Sequence, residues 1–420
     1  MNCWPSRSSD SDDRREFNLN RSIMTTAAPP NVDSDDHQAM LRDAAQRYVE
    51  RDYTFESRQA ALASPEGFSS ERWQAFADMG WLALGLPEDC GGFGDAVDAA
   101  IVAQALGRAM ALEPWLANVG LCAPLLAALR PGASVSGGPA GAASADRAAD
   151  LLTRMASGEH RLALGGWEPQ GRYDAFDVRT VANMKSDGSW QLDGLKTLVL
   201  GGAAADTLLI VARESGQPRD TEGLSVFAVP ATSAGLRRRG YPSYDGRQTA
   251  DLRLDSVSLP ASARLGRGGA AWPALEAAID HATALACTEA VGTMQRVLDT
   301  TRDYAQQRRQ FGKPLAANQV IRHRLVDLFV AIEQAGAISA AAVARLADSP
   351  AERRRAVSLA KAFVSPAGRR CGEEGVQLHG AIGMTKEVAI GHAATRLAGL
   401  SNLLGDEAWH LERLEADRPR

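Results

Sequence analysis

A chain of 420 residues is long enough for two or three domains and a large core. Apolar residues make up 45% and charged residues 23%, an ordinary globular balance. The net charge of -5 argues against a nucleic-acid protein, which needs a basic stripe, and no uninterrupted apolar run reaches the roughly 18 residues that cross a membrane.

The five cysteines, Cys3, Cys90, Cys122, Cys287 and Cys371, form no C-x-x-C pair. An odd number of isolated thiols fits a reducing compartment, so a cytoplasmic protein is expected. The histidines form no H-E-x-x-H or comparable ligand spacing, and no metal site is expected.

Residues 1–35 are polar and lack the apolar core of a secretory signal. They read as a disordered leader, with Met24 a second candidate start. Residues 36–159 read as an N-terminal helical domain. Met40, Leu41, Ala44, Ala45 and Tyr48 form one stripe at helical spacing. Glu71–Met79 and the Ala-rich Val97–Leu112 are further helices, separated by the Gly- and Pro-marked loop Gly80–Gly94. The low-complexity stretch 131–145 reads as a flexible surface loop.

Residues 160–265 change pattern. Thr197–Leu200, Thr207–Ala212, Leu224–Val229 and Ala250–Leu254 are short, apolar or alternating, and bounded by Gly, Asp and Pro. That pattern predicts an antiparallel β-barrel or sandwich. Residues 266–420 return to long Ala/Leu-rich helices at about 272–307, 316–347 and 350–377, with Pro314 and Pro350 at expected helix starts. The fold class is therefore α+β and multidomain, ending in a four-helix bundle. The basic runs Arg237–Arg239 and Arg353–Arg355 read as solvated faces.

Two segments in the last domain carry more than architecture: Arg308-Arg-Gln-Phe-Gly-Lys-Pro-Leu315 with Gln319, and Gln377-Leu-His-Gly-Ala-Ile-Gly-Met-Thr385. Upstream stand Gly80-Trp81, Leu86-Pro87-Glu88, Gly91-Gly92-Phe93-Gly94, Glu168-Pro169, Leu192-Asp-Gly-Leu-Lys196, Ala205-Asp206 and Leu254-Asp-Ser-Val-Ser-Leu-Pro260. In this order they resemble the acyl-CoA dehydrogenases, from about residue 36 to the end. The resemblance implies FAD held between the middle and C-terminal domains, with a neighbouring subunit completing the site. It implies Arg308 at the pyrophosphate, where a guanidinium fork suits phosphate oxygens. It also implies Phe311 against the cofactor and Gln319 at its adenosine half. Gln377, Gly380 and Ala381 would bring backbone close; Ala381 stands where a second glycine is usual. His379 reads as structural.

The same resemblance marks departures. Its two usual positions for a catalytic glutamate are Leu404 and Ala282, leaving Asp406 and Asp280 as the nearest candidate bases. Its flavin-facing Trp and Thr are Leu198 and Leu200, and its Thr before Glu-Pro is Trp167. These features are similar to the branch that includes small subunits of bacterial pimeloyl-CoA-type dehydrogenases. The expected function is FAD-dependent α,β-desaturation of an acyl-CoA, with an electron-transferring flavoprotein as acceptor. The chain would act as a homo-oligomer or beside a homologous subunit; the alternative is a catalytically silent structural subunit. Arg247 and Arg172 are candidate partners for a terminal carboxylate on the acyl tail.

Overall fold

The N-terminal segments are helical because they carry both caps and an apolar stripe. The structure, a computed structural model, describes residues 36–130 and 138–416; the expected leader, 1–35, lies outside them. Six helices open the described chain: α1 (Asp36–Asp52), α2 (Phe55–Ala63), α3 (Ser70–Asp78), α4 (Ala96–Ala109), α5 (Ala123–Leu129) and α6 (Gly138–Ala156). Thr54 and Ser69 cap α2 and α3, and Asp95 with Asp98 forms a capping box on α4. The inward stripe of α1 is Leu41, Ala45, Tyr48 and Val49; Met40, 71% exposed, and Ala44 face outward. The Tyr48 ring packs edge-on against Phe76 and Trp81, which sets the helix rotation.

The expected loop 131–145 is corrected in its second half. Residues from Gly138 onward are helical, because alanine has the highest helix propensity and Ala148, Leu151, Leu152 and Met155 anchor α6 in the core. Residues 131–137 lie outside the described set.

The middle segment is one curled sheet of β1 (Leu162–Gly165), β2 (Val181–Met184), β3 (Trp190–Leu200), β4 (Thr207–Arg213), β5 (Leu224–Pro230), β6 (Leu236–Pro242), β7 (Gln248–Leu259) and β8 (Arg264–Leu265). The strand order is β6-β7-β3-β2-β4-β5-β8, with β1 also on β4. Most pairs are antiparallel, but β1 and β2 run parallel to β4. Every residue of β4 is buried. Leu208, Ile210 and Ala212 join Trp190 and Phe227 in one core, while Leu209 and Val211 join the helices in another. A strand covered on both faces reads as a continuous apolar run, as the sequence of β4 does.

The C-terminal helices are α7 (Trp272–Gln307), α8 (Gln319–Ala344), α9 (Pro350–His379), α10 (Ala389–Asn402) and the short α11 (Glu407–Ala416). Helices α7 to α10 pack on one another as a four-helix bundle. Pro350 opens α9, but Pro314 precedes a 3-10 turn rather than a helix start. By length and composition α8 does meet the membrane-span criterion, with a mean hydropathy of 1.5; it packs against α7 and α9. Arg353 is not a solvated charge but is buried in an ion-pair network.

Two constraints lock these parts together. Helices α4 and α7 cross in backbone contact: a Cβ on Gly292 would lie 1.9 Å from the Gln104 carbonyl oxygen, and one on Gly107 2.0 Å from that of Glu289. Thr293 Oγ1 donates to the Gly107 carbonyl across this crossing at 2.9 Å. Beside it lies a buried charge cluster drawn from all three parts. Arg396 of α10 donates to Glu289 of α7 at 2.8 Å and to the Ala111 carbonyl at 2.6 Å. Arg247 and Asp245, from the turn before β7, pair at 2.8 Å. Arg58 of α2 donates to the carbonyls of Met110 and Asp245 at 3.0 and 3.2 Å.

Gly292→Ala is expected to cost about 1–3 kcal/mol by overpacking this crossing. Urea unfolding checks it; a midpoint equal to that of the parent would show that the helices can separate freely there.

Candidate active site

The two C-terminal motif segments meet at the ends of α7 and α9. Helix α7 stops at Arg308, whose N–H donates to the Tyr304 carbonyl at 2.8 Å. Next comes a hairpin of β9 (Arg309–Gln310) and β10 (Lys313–Pro314). Its two-residue turn, Phe311-Gly312, has positive φ at both positions, 51° and 81°. Such turns match the twist of paired strands, and Gly312 takes its conformation without strain. The turn drives Phe311 into solvent, 99% exposed. A 3-10 turn then leads to Gln319, the first residue of α8. Helix α9 ends at His379, and Gly380, with φ 71°, turns the chain into a second 3-10 segment, Gly380–Met384. The Tyr304 and His379 rings stack at 4.3 Å and join the two ends.

Arg308, Phe311, Gln319, Gln377, Gly380 and Ala381 are all exposed on the single chain. Arg308, Arg309 and Lys313 make no ion pair with any carboxylate among the described residues. A Cβ on Gly380 would meet nothing within 4 Å. Unpaired cations beside an open glycine turn fit a pyrophosphate group. His379 is buried, its Nδ1 2.8 Å from the Gly375 carbonyl oxygen, and burial lowers its pKa. It is a structural histidine.

The wall of the sheet is built on a buried ion pair that was not paired from sequence, although both of its motifs were in view. Lys196 Nζ lies 2.7 Å from Glu168 Oε1. Glu168 also accepts from the N–H groups of Arg179 and Thr180 at 2.9 Å and from Thr180 Oγ1 at 2.6 Å. Burial pushes the Glu168 pKa up, but Lys196 and these donors outweigh it and hold the carboxyl at about 2. The pair fixes Trp167 and the end of β3, where the Thr197 N–H donates to the Trp167 carbonyl at 3.0 Å. A register shift between Lys196 and Val199 then bulges the strand. Leu198 takes φ 53° and stands 67% exposed. Its N–H donates to Asp251, which also accepts from Tyr241 Oη at 2.8 Å. Bulges near active sites commonly re-aim one side chain in this way.

Neither candidate base stands free. Asp280 is fully buried between Arg353 Nε at 2.9 Å and an Arg413 side-chain nitrogen at 2.7 Å. Both of its oxygens therefore face guanidinium groups. Asp406 caps α11 by accepting the Trp409 N–H at 2.9 Å. Leu404 keeps an unusual backbone, φ 61°, followed by Gly405 at 117°. The turn is clamped on both sides. Lys361 Nζ donates to the carbonyls of Leu400 and Ser401, and the Leu404 carbonyl lies 3.2 Å from His410 Nε2. Arg247 is engaged by Asp245 and Glu289, so it is no free partner for a substrate carboxylate; Arg172 is exposed.

Models of the N-terminal, middle and C-terminal domains of acyl-CoA dehydrogenases match residues 35–129, 163–257 and 269–416 in order. The chain belongs to the acyl-CoA dehydrogenase family. It is a flavin oxidoreductase of that family, and its cofactor is FAD. An acyl-CoA dehydrogenase of Bacillus subtilis is 31% identical over 246 residues, 57% of this chain and 63% of that protein. Acyl-CoA dehydrogenase IpdE2 of Mycobacterium tuberculosis is 29% identical over 384 residues, covering 91% of this chain and 97% of its own. The crystal structure of the ChsE4-ChsE5 complex from the same organism superposes with a TM-score of 0.77 at 23% identity, over 92% of this chain and 99% of that one.

Within this acyl-CoA dehydrogenase two ion networks are open to measurement. The folded pKa of Glu168, about 2, lies below its ordinary 4.5. Its contribution is present above pH 4.5 and is lost as pH falls through 2, about 3 kcal/mol in all. A Glu168→Gln chain is therefore expected to lose less stability than the parent over that window; parallel acid-unfolding curves would refute the pairing. Asp280→Asn is expected to cost about 3–5 kcal/mol in urea unfolding, because Arg353 and Arg413 are left facing a neutral group. A cost below about 1 kcal/mol would mean that the arginines find other partners.

Proposed function

We propose that this chain is one subunit of a hetero-oligomeric FAD-dependent acyl-CoA dehydrogenase, and that a homologous partner subunit supplies the catalytic carboxylate. One observation carries this reading. Arg308, Phe311, Gln319, Gln377, Gly380 and Ala381 are exposed on the chain, while both base positions are apolar and the nearest carboxylates, Asp280 and Asp406, are engaged in structural bonds.

The chemistry follows from the thioester. The α-carbon loses a proton to the partner's carboxylate, the β-hydrogen leaves with its electron pair, and the double bond forms between the two carbons. FAD, when bound, would supply the hydride-accepting chemistry, with an electron-transferring flavoprotein as the onward acceptor. In this scheme Arg308 holds the pyrophosphate, Phe311 packs against the cofactor and Gln319 meets the adenosine half. Gln377, Gly380 and Ala381 give close backbone. Leu198, Leu200 and Trp167 make an apolar wall that keeps water from the reacting carbons.

Between α4, the 111–117 segment, the 200–204 loop and α7, the cavity is about 30 Å³. That holds one or two waters, not an acyl tail. The four described cysteines are free and buried, which supports a reducing, cytoplasmic compartment.

The test is to purify the chain alone and co-expressed with a homologous subunit, then measure retained FAD and anaerobic bleaching by an acyl-CoA. The complex is expected to hold FAD and bleach, the chain alone not to bleach. Asp280→Asn and Asp406→Asn complexes that stay assembled are expected to bleach like the parent. Arg308→Ala is expected to weaken FAD retention at least tenfold, whereas a purely scaffolding subunit would not respond. Bleaching by the chain alone would overturn the partner-base reading.

A further inference from the structure

Tyr304 makes one hydrogen bond to each flavin-binding segment. Its carbonyl accepts the N–H of Arg308, the residue that ends α7. Its hydroxyl donates to the carbonyl of His379, the last residue of α9, at 3.3 Å. Terminal helix carbonyls have no partner within the helix, so the hydroxyl fills a real vacancy. The rings stack with centroids 4.3 Å apart and planes at 22°. His379 cannot rotate away, because its Nδ1 is bonded to the Gly375 carbonyl at 2.8 Å. A carbonyl only accepts, so Nδ1 carries the proton. The Gly380 N–H points back to the carbonyls of Gln377 and Val376. The peptide between His379 and Gly380 is thus held from both sides, by α7 through its oxygen and by α9 through its nitrogen.

Beyond this bridge both segments are open. The hairpin carries Arg308, Arg309, Phe311 and Lys313 into solvent, and Gly380-Ala381 is exposed with free space above Gly380. Nothing else described at the tips hydrogen-bonds one segment to the other. Holding a guanidinium and a backbone turn at a set distance is what binding a rigid diphosphate requires, and errors near 1 Å are costly. We propose that Tyr304 and His379 are positioning residues that set the spacing between Arg308 and the Gly380-Ala381 turn and so determine affinity for the diphosphate of FAD. The proposal rests on the FAD site described above, but adds residues that touch no cofactor.

The experiment uses the deflavinated assembled complex, titrated with FAD by flavin fluorescence, with thermal melting followed in parallel. Tyr304→Phe keeps the stack and loses the hydroxyl; FAD affinity is expected to fall about threefold. Tyr304→Leu and His379→Leu lose the stack and are expected to bind at least tenfold more weakly, with melting within a few degrees of the parent. If the leucine variants fold but bind FAD within twofold of the parent, the proposal is wrong. If they do not fold, Tyr304→Phe decides, and unchanged affinity in it overturns the proposal. A parent complex that binds no FAD would instead overturn the flavin site itself, and this proposal with it.

Discussion

The buried charge cluster of Arg58, Asp245, Arg247, Glu289 and Arg396 is the constraint on which the arrangement of this molecule rests. The five groups come from four elements, and together they tie the N-terminal helices, the sheet and the bundle at one point. Burying five charges is costly, and a well-packed apolar junction could be equally stable. What an apolar junction lacks is direction. Arg396 must find Glu289, Asp245 and two backbone carbonyls at once, and only one relative placement of the three parts allows that. The bulged end of β3 and the cationic hairpin after α7 are placed relative to each other through it.

Around the site the backbone is held by its surroundings: by the Glu168–Lys196 pair, by the bulge that lifts Leu198 and by the clamps on the left-handed turn at Leu404. At Leu404 the backbone still takes a conformation that is uncommon for a branched residue, held by Lys361 and His410. Such a strained turn is a property of the surrounding clamps more than of the residue within it.

The architecture and the two C-terminal motif segments were legible in the sequence because their signals are local. Helix spacing, caps, strand runs and the Arg308–Leu315 and Gln377–Thr385 segments all sit within a few turns of chain. What was illegible depends on pairing across the chain. Asp280 looks available until Arg413, 133 residues later, is brought onto it. The Arg353–Arg355 run looks solvated until Arg353 is seen against the same carboxylate. Arg247 looks like a substrate partner until Glu289 reaches it. The α6 start was misread for another reason: glycine and serine among alanines resemble a linker, yet the buried Leu151, Leu152 and Met155 downstream recruit the segment into a helix. Tyr304, too, lies in an unremarkable helical stretch, and only the fold puts its ring on His379.

Phe311 stands almost wholly in water on the isolated chain, with Met384 at 79% and Ile382 at 42% exposure on the neighbouring segment. Apolar groups so displayed favour self-association as readily as correct pairing. The surface that carries these two segments therefore also governs the colloidal behaviour of the chain.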